Sequence, residues 1–331
     1  MFLAWNSLDA WFQLWAGMVL ARESPVMRLL FAFLATGLIL SCANSSKQDT
    51  LAAGPEFTGL RHVEDPAVEH LIQASPRIFS GAAPENAEAF AALAKRGVQT
   101  IVSVDGARPD VQTARAYGIR TVHIPFGYDG VPEEAAQQIA QALEETQGPI
   151  YFHCHHGQHR GPAAAAIALR LETGCSGPEA TELLRFAETD PKYKGLWRDV
   201  ETFVPHALGA VWPTLHEVAP VSDLAAGMAR MDREWDRVKL VQASSWKVPA
   251  EHPDLAPIQQ AKIMAEMLEA MSGALSAEQQ ADAEFLRLLQ SGQSEAKALQ
   301  SALVAGDAAA AEQRFSALKK GCAACHEVYR N

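Results

Sequence analysis

The chain has 331 residues, of which 48% are hydrophobic, and its formal net charge is −11. This length and apolar content allow two domains, each with a core of its own. The acidic balance argues against nucleic acid as a partner, because a phosphate backbone attracts basic surfaces. Five cysteines are too few and too scattered to indicate a disulfide framework, although a pairing of Cys154 with Cys175 stays open.

An apolar run at residues 29–40 follows Arg28. A run of this length is short for a membrane span but suits the hydrophobic region of a signal peptide. It continues into Ile39-Leu40-Ser41-Cys42, which resembles a bacterial lipobox. The resemblance implies cleavage before Cys42, lipidation of that residue and a periplasm-facing, lipid-anchored protein, with Ala43 favouring the outer membrane. The alternative is an ordinary signal peptide that contains Cys42 incidentally, and a periplasmic protein.

Composition divides the chain into four segments. Residues 1–42 are the predicted signal peptide and lipobox; Met27 is a credible true start, and residues 1–26 are otherwise an apolar extension. Residues 43–55 are small and polar, as expected for a tether. We predict an α/β domain at 56–208 and a helical domain at 212–331.

Short β-type runs alternate with helical runs across residues 56–208. Strands are predicted at 77–81, 98–104, 119–126 and 150–152. Helices are predicted at 85–95, 132–146, 162–173 and 177–188. This alternation indicates a central parallel or mixed sheet covered by helices.

The most informative segment of this domain is the loop that follows the last predicted strand. Cys154 ends the strand, Arg160 follows after five residues, and a helix opens near Pro162. Inward-facing amides and the helix N-terminus can bind an anion, and the Arg160 fork can hold two of its oxygens. The same positive field favours a Cys154 thiolate that could attack phosphorus. The candidate anion-loop residues are His153, His155, His156, Gly157, Gln158 and His159.

His153, Cys154, Gly157 and Arg160 match the pattern His-Cys-x5-Arg, with glycine at the third x. The segment resembles the protein tyrosine phosphatase superfamily, and residues 70–190 resemble its compact dual-specificity branch. The resemblance implies hydrolysis of phosphate esters in a phosphorylated small molecule or a phosphoprotein, with Cys154 and Arg160 catalytic.

The same resemblance implies an aspartate, upstream of Cys154, that protonates the leaving oxygen. Asp129 occupies the equivalent place, with Asp105 and Asp110 as competitors. The family usually has Ser or Thr directly after the loop arginine, where this chain has Gly161. The missing hydroxyl keeps open a non-catalytic, anion-binding role.

Four histidines in the loop make a metal site a competing interpretation. A nest of inward amides directs side chains outward, which disfavours four convergent metal ligands. We expect these histidines, when protonated, to add positive charge at the rim instead.

Residues 212–331 read as helices at 223–241, 257–275, 277–304 and 307–329, which predicts an all-α four-helix bundle. Asp232, Glu234 and Asp236 are expected to form a solvated face of the first of these helices. Asp307 is a plausible N-cap of the last helix.

The last helix carries Cys322-Ala323-Ala324-Cys325-His326. A Cys-x-x-Cys-His run is the attachment site of a c-type haem, with thioethers at Cys322 and Cys325 and His326 as axial iron ligand. This ending resembles that of cytochrome c′, a four-helix-bundle family. In that family a first-helix residue lies over the distal haem face, so Met228 or Met231 either ligates iron there or packs as core.

The sequence therefore predicts an exported phosphatase-like protein, fused to a c-type haem domain for redox or gas sensing. The haem implies a periplasmic redox partner or a diatomic gas, and the lipid anchor implies a membrane. The alternative is a non-catalytic, anion-binding haem sensor or an electron-transfer lipoprotein.

Overall fold

The structure, a computed structural model, describes residues 59–205 and 212–330. Both ranges fall within a single compact unit. The proposed start at Met27, the lipidation at Cys42 and the tether at 43–55 lie outside the described residues. Within the described ranges, no helix is both long and apolar enough to cross a membrane.

A mixed sheet forms the centre of the N-terminal half of the described chain. Its strands are β1 (Arg61–His62), β2 (Ile72–Gln73), β3 (Ile78–Gly81), β4 (Thr100–Ser103), β5 (Arg120–His123) and β6 (Ile150–His153). They lie in the order β1-β2-β3-β6-β4-β5. Strands β3, β6, β4 and β5 run parallel to one another, whereas β2 is antiparallel to both of its neighbours, β1 and β3. The register aligns His153 with Gly81 and Ser103, so Cys154 emerges at the carboxyl edge of the central strands.

Helices cover both faces of this sheet. One face carries α1 (Ala87–Lys95) and α2 (Val111–Ala116), and the other carries α3 (Glu133–Glu145), α4 (Arg160–Thr173), α5 (Gly177–Phe186) and α6 (Lys194–Thr202). Successive side chains of β6 alternate between the faces, since Ile150 and Phe152 pack with α3 and α4 whereas Tyr151 packs with α1. The sheet is therefore buried on both sides, as parallel strands require.

The C-terminal half is helical. It comprises α7 (Asp223–Ala243), α8 (Pro257–Met271), a short α9 (Ala277–Ala281), α10 (Ala283–Val304) and α11 (Ala308–Tyr329). The core of this bundle is apolar and rich in methionine, and Trp235 stacks on Phe315 with ring centroids 4.8 Å apart. The order of an α/β domain followed by an all-α bundle confirms the predicted fold class.

One predicted helix is divided in two. The sequence favours a continuous helix at 277–304, but Asp282 has an extended backbone (φ −85°, ψ 102°) between α9 and α10. Its carboxylate accepts hydrogen bonds from the N–H groups of Glu284 and Phe285, which caps α10 and stops α9. At the other end, Asp307 caps α11 as predicted, accepting from Ala310 N–H at 2.9 Å.

The two halves meet at the carboxyl edge of the sheet, where α7 lies against the loop after β4. A Cβ atom placed on Gly106 would lie 3.3 Å from the Ala225 carbonyl oxygen of α7. A side chain at Gly106 would thus push α7 away from the loop. This packing brings charged residues of the bundle to the segment that contains Cys154.

Candidate active site

Cys154 is buried at the end of β6, and its loop leads directly into α4, which begins at Arg160. The carbonyl oxygens of His155 and Gln158 point away from the loop, accepting from Ala83 N–H at 2.9 Å and from the Thr189 hydroxyl at 2.5 Å. A loop whose carbonyls turn outward directs its amides inward. The predicted strand, loop and helix around Cys154 are therefore present.

Gly157 allows this loop to fit beneath β3. Its φ of +73° lies in the left-handed region, and a Cβ atom there would lie 2.3 Å from the Gly81 carbonyl carbon. Both the backbone conformation and the close approach exclude a side chain. The glycine of the motif is thus explained by contact with another strand.

Arg160 is buried beneath the loop and directed at the edge of the sheet. Its Nη1 donates to the Phe126 carbonyl at 3.2 Å, and its Nη2 donates to Asp105 Oδ1 at 3.3 Å. Its Nε is buried without a hydrogen-bond partner. An anion held by the loop would supply the acceptor that this N–H lacks.

Asp105, at the end of β4, binds two arginines at once. One carboxylate oxygen contacts Arg160, and the other accepts from Arg233 of α7 at 3.2 Å. Burial by itself would raise the pKa of Asp105, but the two guanidinium charges outweigh burial and lower the pKa to about 2. Asp105 is therefore a permanently ionised counter-charge for Arg160.

Asp129 lies in the loop after β5 and is exposed. Its carbonyl accepts from Arg198 at 3.4 Å, and the next residue but one, Val131, donates its N–H to Asp199 at 2.8 Å. A Cβ atom on Gly195 would lie 1.5 Å from the Asp129 carbonyl oxygen. Helix α6 thus fixes the backbone of the Asp129 loop through close contact, while the carboxylate stays free to face solvent. Asp110, by contrast, caps α2 through its bond to Thr113 N–H.

Tyr128, beside Asp129, stacks between two guanidinium groups. The Arg160 and Arg330 groups each lie 4.3 Å from its ring centroid, and Arg330 also donates to its hydroxyl at 2.8 Å. Each contact has cation–π geometry. Arg330 follows the last residue of α11, so the C-terminal helix reaches the same site as Arg160.

The four loop histidines do not all meet at one point. Burial lowers the pKa of His153 to about 4 and that of His159 to about 4, so both are neutral at pH 7. The expectation that all four would add positive charge at the rim is therefore wrong for these two. A hydrogen bond to Asp236 raises the pKa of His156.

Asp236 corrects a second expectation. The sequence places it on a solvated face with Asp232 and Glu234, but its Oδ2 lies 2.8 Å from His155 Nε2 and 3.0 Å from His156 Nε2. The helical periodicity correctly put Asp236 outside the bundle core. It could not show that the other half of the chain covers that face.

Gly161, the departure from the phosphatase pattern, has a structural cause. A Cβ atom at this position would lie 2.9 Å from the Cys154 backbone nitrogen and 3.1 Å from the His153 carbonyl carbon. A side chain at this position would therefore require the first turn of α4 to move away from β6. The missing hydroxyl accompanies a close contact between helix and strand.

The haem-motif residues lie on the last turns of α11. Cys322 and Cys325 are half-buried free thiols, and Cys322 packs against the bundle core. Partial desolvation and the nearby Arg330 charge lower the pKa of His326 to about 4, so its imidazole is neutral and able to ligate iron. This donor set fits a covalently bound haem. Met231 is buried in the core and Met228 packs at its edge.

Sequence reasoning missed the arginines that the bundle contributes. Arg233 and Arg330 carry no motif, and only the fold places them at Asp105 and Tyr128. The motif predicts Asp105 only as an alternative general acid and gives no sign of its two arginine partners. Its position directly after a buried strand was a usable signal that it lies at the carboxyl edge of the sheet with Cys154.

Comparison with known proteins agrees with this division. The family described as Cytochrome C' matches residues 252–330. The "Dual specificity protein phosphatase TpbA" of Pseudomonas aeruginosa strain UCBPP-PA14 is 28% identical over 152 residues, which cover 44% of this chain and 66% of the relative. The same protein from strain PAO1 is 27% identical over 152 residues. The chain thus spans slightly less than two thirds of these relatives.

Among solved structures, the crystal structure of Pseudomonas aeruginosa TpbA is similar at 24% identity and a TM-score of 0.34, over 45% of this chain and 98% of that one. The core catalytic domain of the PP-IP phosphatase SIW14 from Saccharomyces cerevisiae gives 17% identity and a TM-score of 0.37, over 44% and 91%. Together, the family and sequence matches support the predicted fusion of a dual-specificity-phosphatase-like domain with a cytochrome c′-like domain.

The contact between Gly157 and β3 predicts that Gly157→Ala disrupts the anion loop. We expect orthovanadate to bind at least roughly 10-fold more weakly, because the added Cβ displaces the loop amides from Gly81. Calorimetric titration measures this affinity. Gly174→Ala is the matched control: it has a similar φ of +70° but no atom within 4 Å of the new Cβ. Equal vanadate affinity in both variants would contradict the loop geometry.

The double ion pair of Asp105 predicts a large loss of stability in Asp105→Asn. The buried Arg160 guanidinium and the partly exposed Arg233 guanidinium would lose their counter-charge, which costs about 3–5 kcal/mol of unfolding free energy. Because the folded pKa of Asp105 is lowered to about 2, its stabilisation is present above about pH 4 and is lost as pH falls towards 2. Urea unfolding at pH 7 and pH 3 measures both effects. Asp110→Asn, at an exposed cap, should cost well under about 1 kcal/mol, because asparagine is nearly as good an N-cap as aspartate; a cost for Asp105→Asn no greater than this would contradict the assignment.

Proposed function

We propose that the N-terminal domain hydrolyses phosphate monoesters through Cys154. The observation that carries this proposal is the buried Arg160 Nε, which has no partner and lies at the start of the helix that follows the Cys154 loop. The Arg160 fork, the loop amides and the N-terminus of α4 would together bind a dianionic phosphate. Similarity to TpbA over 152 residues supports the same chemistry.

The reaction has two displacement steps. The Cys154 thiolate attacks phosphorus, an S–P bond forms, and the ester P–O bond breaks with the electron pair leaving on oxygen. An acid protonates that oxygen and releases the alcohol. Water then attacks phosphorus and gives a proton to the same acid group, now a base; the S–P bond breaks, phosphate leaves, and the Cys154 thiolate and the protonated acid are restored.

Asp129 is the aspartate best placed to be that acid. Asp105 has both oxygens on arginines and a pKa of about 2, so it holds no proton at neutral pH. Asp110 is occupied in capping α2. Asp129 is exposed on a loop that α6 holds next to Tyr128, whose ring covers Arg160.

We further propose that the C-terminal domain carries haem c, bound through thioethers to Cys322 and Cys325 with His326 as axial ligand. The match to Cytochrome C' and the neutral His326 imidazole support this. A bound haem would supply one-electron redox chemistry and a site for a diatomic gas. Met231 lies in the apolar core, which favours packing; Met228, at its edge, is the better placed distal candidate.

Export follows from this proposal, because c-type haem attachment occurs outside the cytoplasm. The signal-like run at residues 29–40 and Cys42 support a periplasm-facing lipoprotein. Its substrate would be a phosphorylated small molecule or a phosphoprotein, and a periplasmic redox partner or gas would act on the haem.

One observation favours a second candidate function, a non-catalytic anion sensor or electron-transfer protein. Gly161 provides no hydroxyl to stabilise the departing thiolate, and the backbone contact leaves no room for one. Loss of one such donor can slow a step by roughly 100-fold or more. In this case the loop would bind phosphate without hydrolysing its esters, and the haem would carry out the function, as a sensor or an electron carrier.

The catalytic proposal predicts that Cys154→Ser abolishes release of nitrophenol from an aryl phosphate by the purified full chain. Asp129→Asn should lower kcat by about 100-fold for an alkyl phosphate, and less for the aryl ester, because a good leaving group needs less protonation. Asp110→Asn is the control and should keep wild-type kcat. Turnover that survives Cys154→Ser contradicts the mechanism. Vanadate binding without turnover by the wild type would assign the second candidate instead.

The haem proposal predicts a porphyrin adduct in the intact mass of the mature protein, absent from Cys322→Ser/Cys325→Ser. Met228→Leu should change the visible spectrum only if Met228 ligates iron, and Met231→Leu is its matched control. A high-spin ferrous spectrum that shifts with CO favours gas sensing, whereas a low-spin, Met-ligated spectrum favours electron transfer. A colourless wild type, produced in a host that attaches haem, contradicts the proposal. The same mass measurement reports acyl chains on Cys42.

A further inference from the structure

Two imidazoles and one carboxylate converge between the Cys154 loop and α7. His155 Nε2 and His156 Nε2 lie 2.8 Å and 3.0 Å from the same oxygen, Asp236 Oδ2. The three ligand atoms lie within 4.8 Å of one another. His155 and His156 come from the phosphatase-like half, and Asp236 comes from the haem-bundle half.

Hydrogen bonding alone leaves this cluster incompletely satisfied. If His155 donates from Nε2 to Asp236, its Nδ1 carries a bare lone pair, and Nδ1 is buried without a partner. Glu85 Oε1 lies 4.0 Å from Nδ1. In a neutral ring, this oxygen anion faces the Nδ1 lone pair, which is repulsive, so only one side of the ring is satisfied; adding either a second ring proton or a metal ion removes the conflict.

A metal ion on Nε2 removes this conflict. Coordination at Nε2 places the ring proton on Nδ1, which faces the exposed Glu85 carboxylate as its acceptor. A ligating histidine whose second nitrogen donates to a carboxylate is the usual arrangement around protein-bound metals. The cluster therefore has both the inner ligands and one outer partner of such a site.

The charges around the cluster also fit a cation. Lys239 contacts Asp236 Oδ1 at 2.5 Å, which leaves Oδ2 for the two imidazoles. Asp232, one turn earlier on α7, and Glu85 add negative charge, and Lys239 adds positive charge. His155 is almost fully buried, whereas His156 and Asp236 are 40% and 30% exposed, so an ion could enter from solvent.

We propose that His155, His156 and Asp236 form a binding site for a divalent transition-metal ion, which joins the Cys154 loop to α7. Imidazole and carboxylate ligands in this number suit Zn²⁺ with solvent in the fourth position. The side chains point out of the loop whereas its amides point in, so the ion lies outside the anion cradle. Its role is a bridge between the two halves of the chain, and it does not depend on phosphatase activity.

Zinc binding to the haem-loaded full chain tests this site. After dialysis against chelator, the wild type should take up one Zn²⁺ per chain with a raised thermal midpoint, since the ion binds only the folded protein. Asp236→Asn, which keeps an oxygen acceptor, and His156→Ala should each bind Zn²⁺ at least roughly 100-fold more weakly. Elemental analysis separates zinc from haem iron, and circular dichroism with the haem spectrum checks that each variant is folded.

Two further variants separate ligation from simpler effects. Glu85→Ala should weaken zinc binding roughly 10-fold, because it removes the acceptor for His155 Nδ1. Asp232→Asn removes an equal charge from α7 without removing a ligand, and should keep affinity within about threefold. No uptake by the wild type, equal affinity in Asp236→Asn, or an equal loss in Asp232→Asn would each overturn the proposal.

Discussion

The buried carboxylate of Asp105, held between two arginines, is the interaction on which the rest of this structure depends. Burying the Arg160 guanidinium beneath the anion loop would be prohibitively costly without a counter-charge. Asp105 supplies it from the end of the neighbouring strand, and its other oxygen is used by Arg233 of α7. One residue thus fixes the orientation of Arg160 and also contacts the helical bundle.

The candidate active site is therefore composite. Strand β6 leads into Cys154, and helix α4 begins at Arg160. The bundle contributes Arg233 of α7, which binds Asp105, and Arg330 at the end of α11, which binds Tyr128. Tyr128 stands between Arg160 and Arg330, and Arg330 N–H bonds back to the carbonyl of His326, the proposed iron ligand. A short chain of contacts thus connects the haem-motif turn to the anion loop.

Local patterns predicted the elements well, because hydrophobic periodicity and motif spacing are local. The strand before Cys154, the helix after it, the Asp307 cap and the bundle all follow from short stretches of sequence. What could not be predicted depends on the packing of distant segments. The contact of Asp236 with His155, the ion pairs of Asp105 and the close approach of Gly161 to β6 all join residues from different parts of the fold. The break at Asp282 is a different failure, since a strong N-cap within a helical pattern was available to be recognised.

The docking of α7 at Gly106 and Asp105 also bears on how such a fusion can be inherited. Domains joined only by a tether can be exchanged between proteins by recombination with little penalty. Here, a phosphatase-like half transferred by itself would leave Asp105 without Arg233. It would also expose Gly106, which lies in close contact with α7 in this structure. The two halves are consequently expected to evolve as a pair, with compensating changes across their boundary.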